Sequence, residues 1–199
     1  MYLSQLFLNQ RSRQVQRELA DPYEMHRTLM RAFPTVEDGG PGRVLFRVDT
    51  DRHDGLVRVL VQSETQPDWS WCVAAETRDY LLPQVYPNPQ WKHWEPAFIG
   101  GQVLTFRLRA NPTVKRNGKR FGLLRHPEQM EWLGRKAQEG GFAVLTVAAR
   151  PEGMARSYKK SEAGRQAMQW FSVCFDGVLR VQNADLFATA IRCGIGSSK

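Results

Sequence analysis

A strand-like run, a helical run and two more strand-like runs follow one another twice along the sequence, and few folds accept that order in tandem. In the first pass Leu3 to Leu8 alternates as a strand, and Ser12 to Ala20 and Pro22 to Phe33 read as helices parted by Asp21-Pro22. RVLFRVD and GLVRVLVQS then read as a hairpin closed by TDRHDG, whose Asp54-Gly55 is a turn dipeptide. In the second pass VLTFRLRA is a strand, PEQMEWLGRKAQEG a helix closed by glycine, and FAVLTVAA a strand. QAMQWFSVCFDGVLRV reads as strand, turn and strand, and NADLFATAIRCG as a helix with Asn183 near its start and Gly194 after its end. Between the passes, Pro67 to Phe98 is rich in Pro and Trp with weak periodicity and reads as a short helix plus an irregular connection. The pattern predicts an α+β chain of two tandem ferredoxin-like folds with antiparallel sheets, residues 1–100 and 101–199, divided near Gly100-Gly101.

The two halves differ sharply in charge. Residues 1–100 hold 11 Lys/Arg against 13 Asp/Glu, a balance of −2, while residues 101–199 hold 17 against 7, a balance of +10. Such asymmetry points to a polyanion-binding second lobe. Nucleic acid fits better than a membrane surface, because no basic amphipathic helix with a strong apolar face accompanies the charge. Three widely spaced cysteines write neither a disulfide framework nor a zinc motif, no apolar run approaches a membrane span, and the N-terminus lacks the order of a signal peptide. A cytoplasmic protein is expected, with no cofactor and no structural metal.

The stretch DPYEMHRTLMRAFP concentrates chemistry on one helix. Asp21 is a favoured N-cap, Pro22 suits the first helical position, and Glu24 stands three residues after the cap. Met25, Leu29, Ala32 and Phe33 form the core-facing stripe. Tyr23, Arg27, Met30 and Arg31 point largely away, and His26 falls on the border. At i, i+3 and i, i+4 spacing a phenol, an imidazole and a guanidinium can meet over one small area. The same spacing also suits a Tyr and a His packed at a core edge beside solvated arginines.

Two clusters in the second half could hold phosphates. Asn117-Gly118 is the favoured two-residue turn of a tight hairpin, flanked by Lys115-Arg116 and Lys119-Arg120. Cations presented together gain from the release of counterions condensed on a nucleic acid. Arg150, Arg156, Lys159, Lys160 and Arg165 form a second group in a polar segment between two strands. His53, His93 and His126 have no metal-ligand spacing and are assigned to structure or solvent. Phosphate-loop, GxSxG and HExxH motifs are missing from the sequence, which removes the commonest nucleotide hydrolase, esterase and metalloprotease readings.

In order, MYLSQLFLN, DPYEMHRTLMRAFP, LVQSETQPDWS, FRLRANP, EQMEWL, CFDGVLRV and GIGSSK resemble the CasE family of CRISPR repeat-processing endoribonucleases of the type I-E Cascade complex, within the RAMP superfamily. The likeness spans nearly the whole chain. It implies a metal-independent cut at the base of a repeat stem-loop, by 2′-hydroxyl attack, that leaves 5′-hydroxyl and 2′,3′-cyclic phosphate ends. It implies as partners the CRISPR repeat RNA, precursor and mature guide, and the other Cascade subunits. Tyr23 and His26 match the family's catalytic pair, and Arg31 falls where related sequences place a basic residue near the scissile phosphate. RNA contacts are expected from Arg27, from Arg107 and Arg109 of FRLRANP, and from Lys115, Arg116, Lys119, Arg120, Arg150, Arg156, Lys159 and Lys160. A non-catalytic RNA-binding assembly subunit is the alternative. In one respect the sequence departs from the family: there the glycine loop runs on into a short apolar strand, whereas this sequence stops at Lys199.

Overall fold

The computed structural model describes residues 1–51, 53–161 and 164–196. It divides into two compact units, Met1–Glu95 with Ser157–Lys159, and Pro96–Arg156 with Lys160–Lys199. Among the described residues no helix is long and apolar enough to cross a membrane.

Unit 1 contains β1 (Tyr2–Leu8), α1 (Arg13–Ala20), α2 (Pro22–Leu29), β2 (Val44–Thr50), β3 (Val57–Ser63) and β4 (Gln90–His93). Its antiparallel sheet has the order β2-β3-β1-β4. Alternation decides which face is dry: Leu6 and Leu8 on β1 and Val57, Val59 and Val61 on β3 are buried, and Val15 of α1 and Met25 and Leu29 of α2 close over them. The hairpin predicted at Asp54-Gly55 forms, with Thr50 paired to Val57. The short helix expected after Pro67 is a pair of 3₁₀ turns, Ser70–Val73 and Ala75–Thr77, which bury Cys72 and are followed by Tyr80 and Leu81 in the core. β4 was not expected from the sequence, for a physical reason: all four of its residues are exposed, so it shows no alternation. Backbone pairing with β1, from Tyr2↔His93 to Gln5↔Gln90, defines it instead.

Unit 2 contains β5 (Val103–Ala110), the small hairpin β6 (Thr113–Arg116) and β7 (Lys119–Gly122), α3 (His126–Glu139), β8 (Phe142–Ser161), β9 (Gly164–Val181) and α4 (Ala184–Cys193). The order β5-β9-β8 repeats the order β1-β3-β2 of unit 1, so both units are ferredoxin-like. Trp132 and Leu133 of α3 pack on Val173 and Phe175 of β9, and Phe187 of α4 packs on Phe142, Leu179 and Val181. Asn183 caps α4, its side chain accepting from the Leu186 N–H.

Two expectations fail here. The polar segment carrying the second basic cluster is strand: β8 continues through Arg150 to Ser161, and Gly153, at φ +94°, sits within it instead of ending it. Nor is Asp176-Gly177 a turn. Gly177 lies in mid-strand paired with Phe106, and a Cβ there would stand 2.1 Å from the Thr146 carbonyl oxygen. The glycine admits a close backbone approach, not a reversal of direction.

Candidate active site

α2 begins as its sequence dictates. The Asp21 carboxylate accepts from the Tyr23 N–H at 3.0 Å, and Pro22 occupies the first turn. Glu24 does not fold back on the cap; it takes the Arg27 guanidinium one turn on, at 3.2 Å. The α-helix ends at Leu29 and a 3₁₀ turn, Met30–Ala32, carries Arg31. The predicted apolar stripe is buried as expected, with Met25, Leu29, Ala32 and Phe33 all in the core.

His26 sits half-buried at the edge of that stripe, its ring stacked on Phe46 of β2 with centroids 6.3 Å apart and planes 23° from parallel. Burial lowers its pKa below the ordinary 6.5, so the neutral imidazole predominates at neutral pH. Tyr23 stands one turn earlier and is also half-buried. Among the described residues no hydrogen bond or ring contact joins the two. Arg31 is exposed and lies over the Trp71 ring, 4.5 Å from its centroid. Of the four side chains singled out on this stretch, Arg27 is therefore engaged by Glu24 and Arg31 by Trp71. Among the described residues the imidazole and the phenol have no ion pair.

Beneath α2 lies a network that the sequence does not announce, centred on α1, whose buried residues are Val15 and Glu18. Glu18 of α1 is 2% exposed. Its Oε1 accepts from Thr28 Oγ1 of α2 at 2.6 Å and from Gln14 Nε2 at 2.8 Å, while Oε2 accepts from the Tyr80 hydroxyl at 2.8 Å. Burial first, and the Glu18 charge second, push the Tyr80 phenol far above its usual range, which keeps it a donor. The Tyr80 ring meets Trp71 at a tilt of 57° with centroids 5.2 Å apart, and Cys72 beside it is pushed up to about 12 by burial. The phenol and the thiol beneath Arg31 thus stay protonated at neutral pH.

In unit 2 the basic hairpin forms as predicted. Asn117 and Gly118 take φ of +47° and +77°, and the register sets Lys115 opposite Arg120 and Arg116 opposite Lys119. Like charges directly opposite one another weaken a hairpin. The four exposed cations are therefore held together against their own repulsion. Arg107, Arg109 and Arg150 are placed differently, on the solvent face of the three-stranded sheet and tied to carboxylates. Arg107 Nε reaches Asp176 at 2.5 Å and Arg150 Nη2 reaches its other oxygen at 3.0 Å. Arg109 grips Glu152 with two nitrogens, at 2.7 and 2.9 Å, and Ser172 adds a third bond. The Arg107 hydrogen bond, above all, holds Asp176 below the usual carboxylate range. Glu152 is also lowered: burial alone would raise it, and the bonds from Arg109 and Ser172 outweigh that. The side chains of Arg156, Lys159, Lys160 and Arg165 lie outside the described residues, as does the end of the GIGSSK block from Ser197.

A family model described as "CRISPR associated protein" matches residues 1–199. The chain is 37% identical over 209 residues to the CRISPR-associated endoribonuclease Cse3 of Thermus thermophilus, covering 100% of this chain and 95% of that protein. It is 29% identical over 212 residues to the CRISPR system Cascade subunit CasE of Escherichia coli K12, covering 100% and 94%. Its fold superposes on a solved structure of the CRISPR endoribonuclease Cse3 bound to a 19-nucleotide RNA with a TM-score of 0.82 and 38% identity, over 100% and 95% of the chains.

Proposed function

The chain belongs to the CRISPR associated protein family, and on that premise we propose that it is an endoribonuclease that cuts precursor CRISPR RNA at the base of the repeat stem-loop without a metal ion. Its full-length similarity to a CRISPR endoribonuclease supports RNA cleavage. The observation that carries the mechanism is His26, a half-buried imidazole on Phe46 whose lowered pKa leaves it neutral and able to accept a proton.

Cleavage without metal needs a base for the ribose 2′-hydroxyl, an acid for the departing 5′-oxygen, and fixed positive charge for the phosphorane between them. His26 takes the 2′ proton. The resulting alkoxide attacks the adjacent phosphorus, the P–O5′ bond breaks, and Tyr23 returns a proton to the leaving oxygen. Arg31, backed by the Trp71 ring, supplies charge toward the phosphate. The products are a 2′,3′-cyclic phosphate and a 5′-hydroxyl, because the nucleophile is the neighbouring ribose and not water. The cations of the β6–β7 hairpin contribute affinity for the stem, whose A-form shape, more than its sequence, is open to a protein. Similarity to a Cascade subunit supports retention of the mature guide within such an assembly.

The test incubates the protein with a repeat hairpin in EDTA, with and without a 2′-deoxy ribose at the cut. We expect the all-ribose hairpin to be cleaved and the deoxy hairpin to stay whole. An absolute need for magnesium, or a 5′-phosphate on the product, would overturn the mechanism.

A further inference from the structure

At the root of the basic hairpin lies a cavity of about 320 Å³, walled by β7 on one side and by β8 and the start of β9 on the other. Its lining combines Trp170 and Phe171 with Met154 and Leu124, the last two 55% and 60% exposed. Arg120 supplies a cation and Gln169 an amide, and among the described residues no carboxylate lines the space. Nothing in the proposed cleavage chemistry uses these residues. Apolar side chains gathered around an opening and left in water mark a binding surface more often than a structural one.

We propose that this cavity binds one unpaired nucleobase of the RNA, stacked on Trp170, with the Gln169 amide at its polar edge and Arg120 on its phosphate. The proposal rests on the RNA-binding reading above. The chemistry of the lining selects the occupant: a flat apolar body, an edge that both donates and accepts hydrogen bonds, and an attached negative charge. A free apolar ligand would leave Arg120 and Gln169 unused. An acidic peptide would leave the aromatic wall uncovered. Bases inside an A-form stem are stacked and turned away from side chains, so the occupant comes from a loop or a flank of the hairpin. The volume is at the lower end of small-ligand sites, which suits one base and excludes a paired step.

The experiment measures binding of a labelled repeat hairpin with single-stranded flanks to the parent and to Trp170→Ala, and repeats both with an abasic nucleotide moved through every unpaired position. One abasic position should weaken the parent by about 5- to 150-fold, the range for a stacked base, and should add nothing further in Trp170→Ala. Trp170→Phe, which keeps an aromatic face, should recover most of the loss and guards against a folding defect. Equal affinity of parent and Trp170→Ala overturns the subsite. So does a loss that adds to the abasic effect at every position, because Trp170 would then support the fold and not a base. A parent that binds no repeat hairpin at all refutes the RNA reading itself, a distinct outcome.

Discussion

Replacing Glu18 by alanine should be one of the most damaging single changes available in unit 1, although Glu18 is absent from the reaction. Its carboxylate is the shared acceptor for Thr28, Gln14 and Tyr80. Thr28 and Gln14 are only half-buried and can turn to water, but Tyr80 is 0% exposed and cannot. Alanine therefore leaves a buried hydroxyl with only the weak Met25 thioether as acceptor, costing about 1–3 kcal/mol, and leaves a void where the side chain stood, costing about as much again. A total of roughly 2–6 kcal/mol would lower the urea midpoint by about 1–4 M for an m-value of about 1.5 kcal/mol/M. Glutamine is the informative comparison. Its carbonyl can keep Thr28 and Gln14 while its NH₂ donates to the Tyr80 oxygen and the Tyr80 proton turns to the Met25 sulfur 3.7 Å away, so the geometry survives and the buried charge disappears. Glu18→Gln should thus cost less than about 1 kcal/mol, in keeping with the small net worth of buried charge that has good neutral replacements. Urea titrations of both variants, followed by circular dichroism, give the two midpoints. If glutamine is as harmful as alanine, the negative charge itself matters and the hydrogen-bond argument is wrong. If alanine is harmless, the network is ornamental.

His26→Ala should slow cleavage by roughly 10²- to 10⁴-fold with repeat-hairpin affinity unchanged within a few fold, measured by single-turnover kinetics beside equilibrium binding; a variant that melts and cuts like the parent removes His26 from the mechanism. Because burial lowers the His26 pKa, the acid limb of the pH–rate profile should fall below pH 6.5, and Phe46→Ala, which uncovers the ring, should move that limb up toward 6.5. The same shift makes stability decline in acid: the unfolded chain binds its proton near 6.5, the folded chain only at lower pH, so His26's contribution is intact above 6.5 and declines down through the folded value. An acid limb above 6.5 in the parent contradicts both. Replacing Lys115, Arg116, Lys119 and Arg120 together by alanine should weaken hairpin binding and flatten its salt dependence by a log–log slope of ~0.9 for each phosphate no longer neutralised; unchanged affinity at every salt concentration would show that the arm touches no RNA.

What could be read in advance was whatever local chemistry decides. Asp21-Pro22 and the stripe from Met25 to Phe33 placed α2, and Asn117-Gly118 placed a turn that needs two residues at positive φ. Distant partners were invisible. Nothing in FRLRANP says that Arg107 and Arg109 will meet Asp176 and Glu152, residues far along the chain that become neighbours only when the sheet assembles. The same limit hid Phe46 behind His26 and Tyr80 behind Glu18. Glycine misled where its role was long-range: Gly153 and Gly177 look like punctuation, yet one is absorbed in a strand and the other makes room for a crossing backbone.

The position of β1 has a consequence for how the chain comes into being. It is synthesised before the other strands of its sheet, yet it lies inside that sheet, and both of its neighbours come later: β3 begins at Val57 and β4 at Gln90. Until they emerge, an apolar strand carrying Leu3, Leu6, Phe7 and Leu8 has two open edges. α1 and α2 depend on near neighbours and can form while the ribosome is still supplying the rest, which shields one face of β1 but neither edge. The nascent chain is therefore most exposed to mispairing between the release of Leu8 and the arrival of Val57. Slowed translation over that interval should raise the yield of aggregated chains without altering the finished fold.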